Sequence, residues 1–185
     1  MAKTSLNSAL KGISGGIDNW VYRDVGGRTV ISRRAEHTAE PTAGQLAVRE
    51  RFRLAADWAR AANADPVLQA VYDPIARAKG ITRYTVMVTD YLKPPVVNAV
   101  DLTGYAGRIG DVIRVRAADD AAVAGVNVAI RAADLSVLEE GAATLQLGTW
   151  VYAATTLRAA GVPITITATA ADRPGNTGTK TESWT

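Results

Sequence analysis

The sequence predicts an α+β protein in two parts, a β-hairpin with helices (residues 1–93) followed by an all-β sandwich (residues 96–185). Three observations predict it. Between Pro163 and Ala171, Ile164, Ile166, Ala168 and Ala170 point one way while Thr165, Thr167 and Thr169 point the other; period-two alternation marks a strand with one buried face. Thr42, three residues before Gln45, opens a stretch with apolar residues at three- and four-residue steps, the pattern of a capped amphipathic helix. Between the two regimes stands Lys93-Pro94-Pro95, a segment that favours extended chain and reads as a linker.

The 185 residues suffice for one medium domain or two small ones, and 48% apolar with 21% charged residues is an ordinary globular composition. One Phe against four Trp and six Tyr points to a core of Val, Ile, Leu and Ala with few large anchors. Charge is uneven: residues 1–95 hold 14 Lys/Arg against 9 Asp/Glu, and residues 96–185 hold 7 against 9. A basic part and a mildly acidic part can attract each other head to tail between subunits, and the basic part can equally meet nucleic acid or a membrane surface; an asymmetry this small does not choose between them. Without cysteine there is no disulfide, thiolate nucleophile or Cys-bound metal. Met1 to Gly16 lacks the apolar run of a Sec signal, and no window reaches the length of a membrane helix. The expectation is a chain made in the cytoplasm, its final compartment unknown, and released or exported as an assembly if it works outside.

The N-terminal elements follow in order. Ile17 to Arg23 and Arg28 to Arg33 are β-prone runs flanking Asp24-Val25-Gly26-Gly27, hence a hairpin. Trp20 and Tyr22 share one face and Val21 takes the other, so both faces carry large apolar groups; a lone hairpin is marginal in water and needs a cover. The capped helix runs from about Ala43 to Ala62, with Leu46, Arg49, Phe52, Arg53, Ala56 and Ala59 along one side and Leu54 and Trp58 nearby. Asn63-Ala64-Asp65-Pro66 ends it. Two short helices are expected next, Pro66 to Tyr72 and Ile75 to Lys79, divided at Asp73-Pro74 and stopped by Gly80. Thr82 to Leu92 is amphipathic and fits helix or strand; Tyr84, Met87, Val88 and Tyr91 at helical spacing favour a helix.

Seven strands are then expected: Val96–Thr103, Asp111–Ala118, Val123–Arg131, Leu135–Glu140, Thr149–Thr155, Pro163–Ala171 and Thr179–Trp184. Seven short strands with Gly, Asp and Asn turns between them read as an immunoglobulin-like (Ig-like) sandwich.

Two stretches carry a resemblance. Gly107-Arg108-Ile109-Gly110-Asp111-Val112-Ile113-Arg114-Val115, followed by Ala118-Asp119-Asp120, resembles the opening of bacterial Ig-like domains. The run Ile166 to Asn176 is similar to their closing strand and its Asp-x-x-Gly-Asn turn. The N-terminal part resembles bacterial proteins with a Gly-rich start, a Val-Tyr-Arg hairpin and a Pro-x-Thr/Ser-x-x-Gln-x-x-x-Arg-x-x-Phe motif, here Pro41, Thr42, Gln45, Arg49 and Phe52; domains of unknown function common in Bacteroidetes are comparable. The resemblance implies architecture and no activity.

Catalytic residues do not gather anywhere. His37, the single histidine, stands in a polar loop without a partner at motif spacing, and the serines have no His or Lys beside them. Gly12-Ile13-Ser14-Gly15-Gly16 lacks the Gly-Lys-Ser/Thr of a phosphate loop. Asp101, Asp111, Asp119, Asp120, Asp172 and Asn176 fall at turns, where such residues serve the backbone; whether Asp119, Asp120 and Asp172 hold calcium is left open. Arg33, Arg34, Arg49, Arg51, Arg53 and Arg60 form a basic cluster, but Glu50 and Asp57 interrupt it, so an ion-paired or solvated face is expected rather than nucleic-acid binding.

The expected function is therefore structural: a non-enzymatic, cofactor-free subunit of a homopolymeric filament or a phage- or virion-like assembly. Trp20, Val21, Tyr22, Val30, Ile31, Arg49 and Phe52 form the expected contact, and another copy is the expected partner. The alternative is an Ig-like binding module for a carbohydrate, such as a surface glycan, or for another protein.

Overall fold

The computed structural model describes residues 14–25, 28–36 and 40–185. Among these residues the protein is mixed α+β, with three helices and three antiparallel sheets. Backbone contacts group the chain into two compact units, residues 1–43 and residues 44–185.

The first unit is a three-stranded sheet, β1 (Gly15–Ile17), β2 (Trp20–Val25) and β3 (Arg28–Arg33), in the order β1-β2-β3. The expected hairpin is present as β2 and β3. The expected first strand breaks at Asp18-Asn19, where Asp18 takes a left-handed φ of 50°. Asp and Asn tolerate that conformation and form tight turns, so Gly15 to Ile17 folds back to pair with β2.

In the second unit, α1 (Ala43–Ala64), α2 (Pro66–Lys79) and α3 (Arg83–Leu92) share one core: Ala55, Ala59, Ala62, Tyr72, Ala76, Val86, Met87 and Val88. The buried stripe of α1 is alanine, which lets its backbone approach its neighbours closely. Leu46, Arg49, Phe52, Arg53 and Leu54 are exposed, so the expected core face holds only at Ala56 and Ala59. Trp58 stacks edge-on to Tyr72 and tilts against Tyr91.

The expected break at Asp73-Pro74 does not occur, and α2 is continuous through Pro74. An internal proline costs roughly 3 kcal/mol. Burial on both sides of it outweighs that cost: Tyr72 and Ala76 are buried, and Leu68, Val71 and Ile75 pack on the same core. Arg83 adds a clamp, donating to Asn63 Oδ1 at 2.7 Å and Asp73 Oδ1 at 2.8 Å. The helix at Thr82 to Leu92 forms as expected, and the Thr82 hydroxyl accepts from the Thr85 amide at its N-terminus.

Eight strands follow: β4 (Val96–Asp101), β5 (Val112–Ala118), β6 (Gly125–Ala132), β7 (Val137–Ala142), β8 (Thr144–Gln146), β9 (Thr149–Ala153), β10 (Ile164–Ala171) and β11 (Thr177–Trp184). They form two four-stranded sheets, β4-β5-β9-β8 and β11-β10-β6-β7. Inward residues of both sheets make one core, with Val97, Ile113, Val115 and Tyr152 from the first and Val126, Val128, Ile130, Ile164, Ile166, Ala168 and Ala170 from the second. The alternation read in β10 is its burial pattern. Strand β8 was not expected. It is three exposed residues joined to β9 by Leu147-Gly148, both at positive φ, and leucine at such a turn carries no sequence signal.

The helices group with these two sheets rather than with the N-terminal strands, so compactness does not divide the chain at Lys93-Pro94-Pro95. Pro95 is fully buried. Lys93 pairs with Asp120 at 2.5 Å, Ala121 packs on the helical core, and Asn176 Nδ2 donates to the carbonyls of Asp90 and Tyr91. Gly178 is needed here, since a Cβ on it would lie 1.9 Å from the Pro95 carbonyl oxygen.

Candidate functional site

Directly paired residues of an antiparallel sheet share a face. Ile17 pairs with Trp20, and Tyr22 with Ile31, which puts all four on one face of the N-terminal sheet. Val21, Val25 and Val30 alternate onto the other face, with Arg23 beside Val30. Ile17, Trp20, Val25, Val30 and Ile31 are 42–58% exposed, while Val21 and Tyr22 are half-buried. The structure thus brings together five of the expected contact residues, Trp20, Val21, Tyr22, Val30 and Ile31, on one small sheet. It adds Ile17, which the unexpected β1 delivers to the aromatic face.

The other two, Arg49 and Phe52, lie on the exposed N-terminal turns of α1. Phe52 stands one turn after Val48, on the helix side that continues into Ala55 and Ala59. An apolar stripe therefore extends beyond the buried part of the helix. Two of the four arginines of α1, Arg53 and Arg60, are ion-paired in place. Arg53 bridges Glu50 and Asp57, Arg60 pairs with Asp57, and Arg51 donates to the Leu92 carbonyl at 2.6 Å. This is the ion-paired, solvated face that Glu50 and Asp57 imply.

Two buried carboxylates in the second unit contrast sharply. Glu139 on β7 accepts from the Tyr152 hydroxyl at 2.8 Å, the Thr155 amide and hydroxyl at 2.5 and 3.0 Å, the Thr156 amide at 3.2 Å, and the Thr156 hydroxyl. Burial pushes its carboxyl up, but the donors from Thr156, Thr155 and Tyr152 together outweigh this and hold it below the usual range.

Asp90 on α3 is 1% exposed and accepts a single hydrogen bond, from the Tyr72 hydroxyl to Oδ2. One oxygen each from Asp90, Asp119 and Asp172 lies within 4.8 Å of the others. Burial pushes the Asp90 carboxyl well above the usual range; the Tyr72 bond pulls it down, and a hydrogen bond with Asp119 and the charges of Asp119 and Asp172 push it further up. Burial and the bond to Asp90 also raise the Tyr72 phenol.

Of the turn carboxylates, Asp119 and Asp172 meet here, and Asn176 Nδ2 donates to Asp172 at 2.6 Å. The others serve the backbone or surface pairs. Asp101 accepts from the Thr103 amide, Asp111 from the amides of Ala106 and Arg108, and Asp120 pairs with Lys93. Sequence reasoning missed Asp90 and Tyr72, whose one signal is a polar residue on the buried side of an apolar helix beside Met87 and Val86. His37, Gly12 and Ile13 lie outside the described residues.

No described helix is long and apolar enough to cross a membrane. The chain matches no protein-family model and no curated protein sequence.

Proposed function

We propose that this chain is a structural subunit of an ordered assembly, a homopolymeric filament or a phage- or virion-like component, whose copies join through the sheet of residues 15–33. The observation that carries this reading is the double-sided exposure of that sheet, with Ile17, Trp20 and Ile31 on one face and Val25 and Val30 on the other. A sheet this small buries neither face by itself. Each large apolar side chain moved out of water contributes about 1.5–3 kcal/mol, so a second copy laid on either face is favoured. The edges of β1 and β3 offer strand addition as a further route. The unequal charge of residues 1–95 and 96–185 favours head-to-tail encounter.

Residues 96–185 serve as the scaffold in this reading. The strand order β4-β5-β9-β8 against β11-β10-β6-β7 supports an Ig-like sandwich, whose sheets run A-B-E-D and G-F-C, with β7 as an added edge strand. The bacterial Ig-like resemblance of Gly107 to Asp120 and of Ile166 to Asn176 points the same way. Light scattering and negative-stain electron microscopy of the purified chain test the proposal. Ordered particles or filaments growing with concentration are expected; a monomer at the highest concentration reached would refute it.

One observation favours the binding-module alternative. An apolar cleft of about 470 Å³ is lined by Leu138, Leu157, Val162 and Ile164 with Arg158 and Asp134 at its side. A cleft of that size with a few polar groups suits a small ligand or a peptide side chain.

A further inference from the structure

We propose that Asp90, Asp119 and Asp172 bind a hard divalent cation, Ca²⁺ foremost, which ties α3 to the ends of β5 and β10. This inference is independent of how the N-terminal sheet assembles. Asp119 follows β5 directly and Asp172 follows β10 directly, so two strand ends and one helix converge on the cluster. Ca²⁺ takes carboxylate oxygens at about 2.4 Å, and two ligands of one ion then lie at most about 4.8 Å apart. The three carboxylates meet that limit in all pairs.

The donor inventory points to a missing positive partner. Asp172 accepts from the Gly175 and Asn176 amides and from Asn176 Nδ2. Asp119 Oδ1 accepts from the Asp120 amide, and Asp90 Oδ2 from Tyr72. Asp90 Oδ1 and Asp119 Oδ2 are buried and no donor from another described residue reaches them, so either a proton held between the two acids or a cation must satisfy them. Glu139 in the same unit accepts from five donors, so elsewhere this fold satisfies a buried carboxylate fully. Among the described residues Lys93 pairs with Asp120 and Arg83 with Asp73, and Arg173, whose charge reaches the Tyr72 phenol, makes no ion pair with the three carboxylates.

The surroundings suit an ion site. Tyr72 and Asn176 orient two of the carboxylates from behind, as outer partners do around bound metals. Asp119 also lines a surface cleft of about 370 Å³ with Lys93, Asn98 and Asp120, which gives an ion and its waters a way in. Protein oxygens alone do not fill a Ca²⁺ shell, and waters from this cleft complete it.

The test uses the full chain at pH 8, stripped with EDTA and dialysed. Thermal melting and titration calorimetry are run with CaCl₂, and with MgCl₂ and MnCl₂ as parallel probes. A saturable heat is expected, with a melting temperature raised by about 5–10 °C at a hundredfold excess over Kd. Asp119→Asn, a nearly isosteric change at a half-buried position, removes both effects; Asp101→Asn, outside the cluster, keeps them. Absence of heat and of any melting shift with all three ions would overturn the proposal and leave a proton shared by Asp90 and Asp119. A cation effect that survives in Asp119→Asn would overturn it equally.

Discussion

Tyr152 on β9 donates its hydroxyl hydrogen to Glu139 on β7 at 2.8 Å, a bond that joins the two four-stranded sheets. Gly141, close by on β7, makes room for the ring, since a Cβ there would sit 2.8 Å from it. Glu139 also gathers Thr155 and Thr156 just beyond β9, so one carboxylate fixes both the sheet spacing and the start of the following loop. Desolvation and the bond to Glu139 push the Tyr152 phenol up to about 12, so it keeps its hydrogen at any ordinary pH.

Glu139→Gln keeps the shape but removes the charge, and some donors lose a good acceptor. Hydrogen bonds to a charged group are worth about 1.5–3 kcal/mol, so a loss of about 2 kcal/mol at pH 7 is expected in urea denaturation. Glu139 has a lowered folded-state pKa, so its stabilisation is present above the unfolded-state value and is lost as pH falls through the folded one. The gap between wild type and variant should therefore narrow on acidification. A gap that widens toward low pH counts against this role.

Gly178→Ala should be among the most damaging single-methyl additions in the protein. Its Cβ would meet backbone, the Pro95 carbonyl, rather than a flexible side chain. Overpacking of this kind costs about 3 kcal/mol, visible as a melting temperature lowered by roughly 6–12 °C. Wild-type stability in Gly178→Ala would mean that β11 and the Pro95 segment are not packed as described.

Removal of residues 1–40 should leave a single cooperative melting transition. Both the helical core and the two-sheet core lie wholly within residues 44–185, and Lys93, Ala121 and Asn176 connect them. Two separate transitions in differential scanning calorimetry would show that helices and sheets fold independently.

How far the sequence exposes this structure depends on how local each determinant is. The strand from Ile164 to Ala171 and the start of α1 just after Thr42 are legible because alternation and capping act within a few residues. The continuity of α2 is not, because Pro74 signals a break locally and only distant burial around Tyr72 and Ala76 overrides it. Leu46 and Leu54 look like core residues by type, yet small alanines make the closest helix contact. The candidate contact residues Trp20, Tyr22, Val30 and Ile31 could be placed on faces by counting along strands, whereas Ile17 needed the turn at Asp18. The Asp90 cluster was hidden for the same reason as the α2 junction: its members are separated by tens of residues and meet only through folding.

Sedimentation velocity of the full chain carrying Trp20→Ala and Tyr22→Asp, against wild type, tests the central claim most directly. The pair removes the aromatic bulk of one face of the N-terminal sheet and places a charge where a second copy would pack. The expected result is a monomer with wild-type circular dichroism and melting, beside a wild type that sediments as a larger species. A variant that assembles as the wild type does would contradict the proposal that the sheet of residues 15–33 joins the subunits.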